Sequence, residues 1–405
     1  MSDTIRRTYA RAALATLLLF PAAACGDGGS TGPEDTDPVV TVSGVADGGS
    51  YEPPVTITIG VAPGTYSATL NGATFISGST VTQPGAYALV VNARNGTART
   101  TEEIGFTVSP PAGGDDFLII RLFDLRLGSY GAPGDAILIT DSSSAGVTHA
   151  LIDAGARTIG STVEEGYVRT RLTQLGVDTL RFMQLTHAHT DHFAGMDEIL
   201  GSAIHVQDFI YNGQTRTLSS YVSLIDYAET QADTAYALTA NRSLVLGGGP
   251  VATSVTMIAP LTTYLGDPNT DEMNDGSIGT LIEHGGFRIF LAGDGEDEAN
   301  ARWQNSFATL SGDVDVLKVG HHGANNATQT WWLSHSSFDM AVISANGTTH
   351  PRIAALANLH AIDEDVYCTN VHGEIRIVVD GAGNYTWSLE KNAASPCVAG
   401  SDATT

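Results

Sequence analysis

The rhythm of apolar and polar positions changes twice along this chain. Between residues 39 and 109, short runs rich in Val, Thr, Ile and Tyr (55–59, 66–70, 87–93 and 104–108) alternate with Gly and Pro turns. Period-two runs at this spacing predict short strands, and Asn71-Gly72 between two of them predicts a tight hairpin. Beyond residue 116 the runs become continuously apolar: 117–124, 135–139, 148–155, 180–185, 279–283, 287–292, 315–319 and 339–344. Helical spacing appears at 163–175, 193–200, 296–310 and, briefly, 331–335. Runs buried on both faces and alternating with helices predict a layered α/β domain. Regularly spaced half-buried strands predict an all-β sandwich ahead of it.

The ends and joints differ in composition. Arg6, Arg7 and Arg11 precede an apolar run at 12–20, then small residues and Cys25. That order predicts an export signal over 1–25, too short to be a permanent span. Cys25 resembles the lipid-modified cysteine of bacterial lipoproteins, although Ala22 stands where a large aliphatic is usual. The chain is thus expected to be exported and held at the bacterial envelope by an N-terminal lipid anchor, or else secreted. Residues 26–38 are small, polar and acidic and predict a flexible tether. Ser109-Pro110-Pro111 with Gly113-Gly114 reads as a linker. The expected layout is signal 1–25, tether 26–38, β-sandwich 39–110 and α/β domain 116–398.

Charge narrows the partners. The 405 residues carry 19 Lys plus Arg against 44 Asp plus Glu, a formal charge of -25. A field of this sign repels phosphate backbones and disfavours a dedicated nucleic-acid binder. Cys368 and Cys397 remain as an isolated pair in an exported chain, which predicts a disulfide tying the C-terminal tail to the core.

The most concentrated chemistry is His187-Ala188-His189-Thr190-Asp191-His192. Neutral imidazoles and a carboxylate are ligands that zinc and similar divalent ions prefer. Strand alternation would put His187 and His189 on one side, with Asp191 and His192 at the start of the following helix facing a second ion. Two further strand ends carry ligand types: Gly293-Asp294 after 287–292, and Gly320-His321-His322-Gly323 after 315–319. Sites in α/β folds are built where strands emerge.

Together these motifs resemble the metallo-β-lactamase superfamily. Gly134-Asp135-Ala136-Ile137, Asp153-Ala154-Gly155, Asn274-Asp275-Gly276-Ser277 and the run from Ser344 to His350-Pro351 are closer to its ComEC-like branch, over residues 117–390. The stretch 39–110 resembles bacterial immunoglobulin-like modules. The resemblance implies an αββα sandwich with two divalent ions, zinc first and manganese second. It implies that His187 and His189 hold the first ion, Asp191 and His192 the second, and that Asp294 bridges them. One of His321 and His322 would complete the second site, with His321 favoured because it comes first after the strand. The superfamily's third histidine on the first ion is missing, and Asn274 or Asp275 stands near its place. The implied catalytic groups are Asp191, Asp294 and His350, the last touching a phosphoryl oxygen or the leaving group. The implied reaction is attack by a metal-activated hydroxide on a phosphodiester; the ComEC-like kin suggest nucleic acid as substrate, whereas the charge of -25 disfavours it against a small molecule. Hydrolysis of a lactone, β-lactam or carboxylic ester, and a surface scaffold with a vestigial site, are the competing readings.

Overall fold

The structure, a computed structural model, describes residues 36–51, 55–81, 85–108, 116–125, 134–155, 166–266, 270–310, 313–327, 338–361, 365–391 and 395–400. The expected signal, most of the tether, the linker and the short helix at 331–335 lie outside them. The chain divides into two compact units, Met1–Val108 and Ser109–Thr405.

The described part of the first unit is all β. Its strands are β1 (Val39–Ser43), β2 (Gly49–Tyr51), β3 (Val55–Thr56), β4 (Thr58–Ala62), β5 (Thr65–Leu70), β6 (Ala73–Thr74), β7 (Thr80–Val81), β8 (Gly85–Asn95) and β9 (Ala98–Val108). A five-stranded sheet runs β2-β9-β8-β5-β6, with small pairs β1-β4 and β3-β7. Alternate residues Leu89, Val91, Ile104, Phe106 and Val108 point into one core with Ile57 and Ile59. The hairpin β5–β6 turns on Asn71 (φ 48°) and Gly72 (φ 82°). Two consecutive left-handed residues match the twist of the flanking strands, and Asn and Gly are the types that adopt them at least cost.

The second unit is mixed α/β and holds two large sheets. The first contains β10 (Phe117–Leu122), β11 (Ile137–Ser143), β12 (Gly146–Ile152), β13 (Thr179–Leu185), β14 (His205–Tyr211), β15 (Thr234–Ala237), β23 (Ile375–Asp380) and β24 (Tyr385–Leu389), in the order β15-β14-β13-β12-β11-β10-β23-β24. The second contains β16 (Arg242–Leu246), β17 (Thr253–Ile258), β18 (Gly279–His284), β19 (Phe287–Leu291), β20 (Val316–Lys318), β21 (Met340–Ile343) and β22 (Asp365–Cys368), in chain order. One face of each sheet supplies a shared core that includes Ile120, Ile139, Ile152 and Ile377 from the first and Val255, Met257, Ile289 and Val342 from the second.

The opposite faces are also apolar, which is why these strands read as unbroken runs. On the first sheet, Leu151, Leu180 and Met183 pack on α1 (Tyr167–Gln174), α2 (Thr190–Phe193), α3 (Met196–Leu200) and α4 (Ser219–Gln231). On the second, Leu281, Phe290 and Leu317 pack on Trp303 of α6 (Asp297–Leu310), which follows α5 (Thr270–Asp275), and on the helix Ile353–His360. Cys368 and Cys397 form a disulfide inside this last core.

The helix expected over 193–200 is two short helices, α2 and α3. The break falls at Gly195, where a Cβ would lie 2.3 Å from the Ala154 carbonyl oxygen. The backbone bonds there instead, Gly195 N–H donating to Gly155 O over 3.2 Å. Close approach of the β12 end thus divides the helix and sets the direction of α2.

Candidate metal centre

Strands β12 and β13 run parallel, with Ile152 opposite Gln184, so both end at the same edge. Asp153 follows the first and Thr186-His187 the second. Asp153 is fully buried and left-handed, φ 55°, a conformation that Asp tolerates better than most residues. Its carboxylate accepts Thr186 N–H (2.8 Å), Thr186 Oγ1–H (2.7 Å) and His192 Nδ1–H (2.7 Å). Through these bonds it joins the end of β13 to α2.

Because β13 ends at Leu185, simple strand alternation does not place His187 and His189. His189 instead occupies the residue before α2 with extended backbone. His187 Nε2 nevertheless lies 2.9 Å from His189 Nδ1 and 3.8 Å from Asp294 Oδ2. Asp294 Oδ2 is in turn 3.1 Å from His192 Nε2 and 3.1 Å from His322 Nε2. The last two nitrogens are 3.3 Å apart, and Asp191 Oδ2 is 3.6 Å from His322 Nε2. Two groups of donor atoms therefore share Asp294: His187 and His189 on one side, Asp191, His192 and His322 on the other.

Outward bonds fix which nitrogen of each ring faces in. Thr186 Oγ1 gives its proton to Asp153 and so accepts from His187 Nδ1 at 3.1 Å. His192 Nδ1 donates to Asp153, and His322 Nδ1 donates to Ser344 O at 3.0 Å. All three rings then present an Nε2 lone pair to the cluster, the arrangement that outer hydrogen bonds impose on metal-binding histidines.

The donor set fits a divalent ion. Ligand atoms placed tetrahedrally at zinc distances are about 3.3 Å apart; among Asp191, His192, Asp294 and His322 four of the donor pairs are 3.1 to 3.6 Å apart and all lie within 4.8 Å. Asp294 Oδ1 is buried without a hydrogen-bond partner. Burial, then the neighbouring His192, pushes the His187 pKa well below its usual range, and burial lowers His189, leaving both as neutral ligands. Burial also opposes charge on His192 and His322. There the carboxylates prevail, Asp294 and Asp153 raising His192 well above its usual range and Asp294 and Asp191 raising His322 to about 9. For Asp191 and Asp294, burial works upward but is outweighed by His322 and His192, so both carboxyls stay ionised. These are positions where a cation competes directly with a proton.

His321 departs from the expected order. Residues 321 and 322 both have left-handed backbone, φ 41° and 54°. The successive left-handed residues send His322 inward and His321 outward, where its Nδ1 meets Glu296 Oε1 at 2.5 Å. His322 is 1% exposed and joins the cluster, whereas the His321 side chain is 26% exposed. Nor does Asp275 fill the gap left by the missing histidine. Its Oδ1 accepts Glu296 N–H (3.0 Å) and Ala299 N–H (2.8 Å), the role of a cap at the start of α6. Asn274 Nδ2 donates to Glu296 Oε1 at 2.7 Å, beside His321.

His350 stands at the rim. Its ring centroid is 5.4 Å from that of His321 and 6.1 Å from that of His322. Burial, then the two nearby histidines, lowers its pKa to about 3, so the ring is neutral. Asn346 Oδ1 accepts the backbone N–H groups of Thr348, Thr349 and His350, which sets this turn. Lys318, fully buried, donates to Asp135 Oδ2 and to Gly293 O (3.0 Å), pinning the turn that carries Asp294.

Sequence reasoning did not single out Asp153, Glu296 or Thr186 as supports for the cluster. The first had the same signal that exposed Asp294, a carboxylate followed within two residues by glycine at the end of an apolar run.

No family model matches the chain. Recombination protein 2 of Haemophilus influenzae is 34% identical over 107 residues, 26% of this chain and 13% of that protein. ComE operon protein 3 of Bacillus subtilis is 32% identical over 112 residues, 27% of this chain and 14% of that protein. The likeness thus covers well under two thirds of either relative's length. A crystal structure of a diphosphatase from the PhnP family matches 62% of this chain and 86% of that one at 10% identity and a TM-score of 0.33, too slight a likeness to argue from.

Proposed function

We propose that the second unit is a metal-dependent hydrolase of the ComEC-like branch of the metallo-β-lactamase superfamily, built as an αββα sandwich and acting on phosphodiesters. The observation that carries the reading is Asp294, whose carboxylate lies between two histidine groups with Oδ1 buried and unpartnered. His187, His189 and Asp294 would hold one divalent ion, and Asp191, His192, His322 and Asp294 the second, zinc before manganese. Two ions held there would supply water activation at neutral pH and polarisation of a phosphoryl oxygen. The chain's own part is to orient. Asp153 and the Ser344 carbonyl hold His192 and His322 in the ligating tautomer, and Lys318 holds the Asp294 turn. Neutral His350, whose Nδ1 lies 3.1 Å from Thr349 Oγ1, would donate a hydrogen bond to a phosphoryl oxygen or the leaving group. The ligand set itself supports an enzyme over a vestigial scaffold.

The further elements of the proposal are export with a lipid anchor at Cys25 and an immunoglobulin-like first unit serving as a spacer. Among the described residues, no helix is long and apolar enough to cross a membrane. The two relatives make a nucleic-acid substrate the alternative phosphodiester, and the charge of -25 favours a small one. The test is a substrate panel on zinc- and manganese-loaded protein: bis(4-nitrophenyl) phosphate, an oligonucleotide, a choline phosphodiester and a lactone. Cleavage of a phosphodiester that EDTA and Asp294→Ala both abolish is expected. Lactone opening without phosphodiester cleavage would move the assignment to carboxylic ester chemistry, and protein that retains no metal would point to a scaffold.

A further inference from the structure

Among the described residues, one cation near the cluster has no partner of opposite charge. Strand β14 runs parallel to β13, Tyr211 opposite Leu185, so its C-terminal end opens at the same edge as the histidine cluster. The loop that follows is held at several points. Asn212 Nδ2 donates to Gly276 O (3.0 Å), Gln214 Nε2 to Gly266 O (2.7 Å) and Thr215 N–H to Leu265 O (2.9 Å). Tyr221 Oη–H donates to Gln214 O (3.2 Å). This loop carries Arg216 to the His187/His189 half of the site, where its Nη1 donates to the carbonyl of Ala188, the residue between those two histidines.

In a chain with 44 acidic residues, a half-buried arginine would ordinarily be neutralised. Among the described residues no carboxylate forms an ion pair with Arg216. The other cations close by are engaged: Lys318 is spent on Asp135 and Gly293, and Arg302 on the carbonyls of Asp275 and Ser277. A guanidinium has five donors in a rigid fork that suits two oxygens of one phosphate. Here one donor braces the loop between the two histidines, and the other donors of the fork make no hydrogen bond among the described residues.

We propose that Arg216 is an anion clamp, binding a non-bridging phosphoryl oxygen of the substrate on the His187/His189 side of the site. This rests on the phosphodiesterase reading and deepens it: the preferred substrate is an anionic phosphoester, and a neutral ester forfeits the contact.

The test uses the full metal-loaded chain. Binding of inorganic phosphate is measured by titration calorimetry, metal content by elemental analysis, and turnover with bis(4-nitrophenyl) phosphate. Arg216→Ala is expected to weaken phosphate binding and raise KM by about tenfold to a hundredfold, the size of a charge-assisted contact. Two bound ions remain, kcat falls far less than KM rises, and Arg216→Lys recovers part of the affinity. If Arg216→Ala does not fold, Arg216→Gln, which keeps a polar side chain but carries no charge, gives the same readout. Unchanged phosphate affinity overturns the proposal. So does loss of metal in step with loss of phosphate binding, which would reduce Arg216 to a brace. A wild type that binds phosphate through Arg216 yet cleaves no phosphodiester upholds the clamp and retires the reaction proposed above.

Discussion

Replacing Asp153 by Asn tests whether the cluster depends on a carboxylate that never touches its centre. The backbone tolerates the change, since Asn adopts the left-handed conformation at φ 55° as readily as Asp. Oδ1 receives Thr186 N–H, while Oδ2 receives both Thr186 Oγ1–H and His192 Nδ1–H. Asn can keep its oxygen at the first position only by turning an NH2 toward His192 Nδ1. Two donors then face each other, and relief requires His192 to move its proton to Nε2, the nitrogen aimed at Asp294 and His322. Loss of such an outer partner costs about tenfold to a hundredfold in metal affinity, or about 1.4 to 2.8 kcal/mol. The loss should fall on the ion held by Asp191, His192 and His322, with the His187/His189 ion weakened less. Chelator-competition titration of metal-free wild type and Asp153→Asn, read for both stoichiometric steps, measures it. Equal affinities for both ions would show that His192 does not ligate through Nε2, and the tautomer argument would fail.

Three other outcomes follow from the same contacts. His322→Ala should bind one ion instead of two, whereas His321→Ala should keep two; elemental analysis of the pair separates the inward histidine from the outward one. Glu374, buried between Arg121 and Arg171, has its pKa lowered because these guanidinium groups outweigh the upward push of burial. Its contribution is therefore complete above the ordinary carboxylate range and disappears as pH falls through the depressed folded value, so thermal unfolding should show stability dropping below pH ~4.5. Glu374→Gln should flatten that drop while costing about 3 kcal/mol or more at neutral pH, because it leaves a buried arginine charge unpaired. Finally, Cys368→Ser with Cys397→Ser opens a loop with a sequence separation of 29. Denaturant unfolding should register a loss of about 2 to 4 kcal/mol.

What the chain discloses on its own depends on how local the deciding interaction is. Strands buried on both faces leave unbroken apolar runs, so 117–122, 179–185 and 287–291 were legible without neighbours. Asn71-Gly72 was legible because its turn is fixed by two residues' own backbone preferences. The candidate ligand cluster was legible because the six residues 187–192, just after one strand, carry four of its donors. The order of His321 and His322 was not, because it is settled by groups far away in sequence: the Ser344 carbonyl at the end of β21 takes one ring, and Glu296 ahead of α6 takes the other. Precedence after the strand carries no information about which partner each ring meets. The same reasoning explains why the supporting role of Asp153, a residue noted only as part of a motif, and the place of Arg216 were not legible. Each acts through a single strand end, and each becomes meaningful only once parallel pairing of β12, β13 and β14 brings three loops to one edge. The four candidate ligands at 187–192 thus announce themselves as one cluster in the sequence, whereas Asp153 and Arg216 reach the same edge singly, each from its own loop.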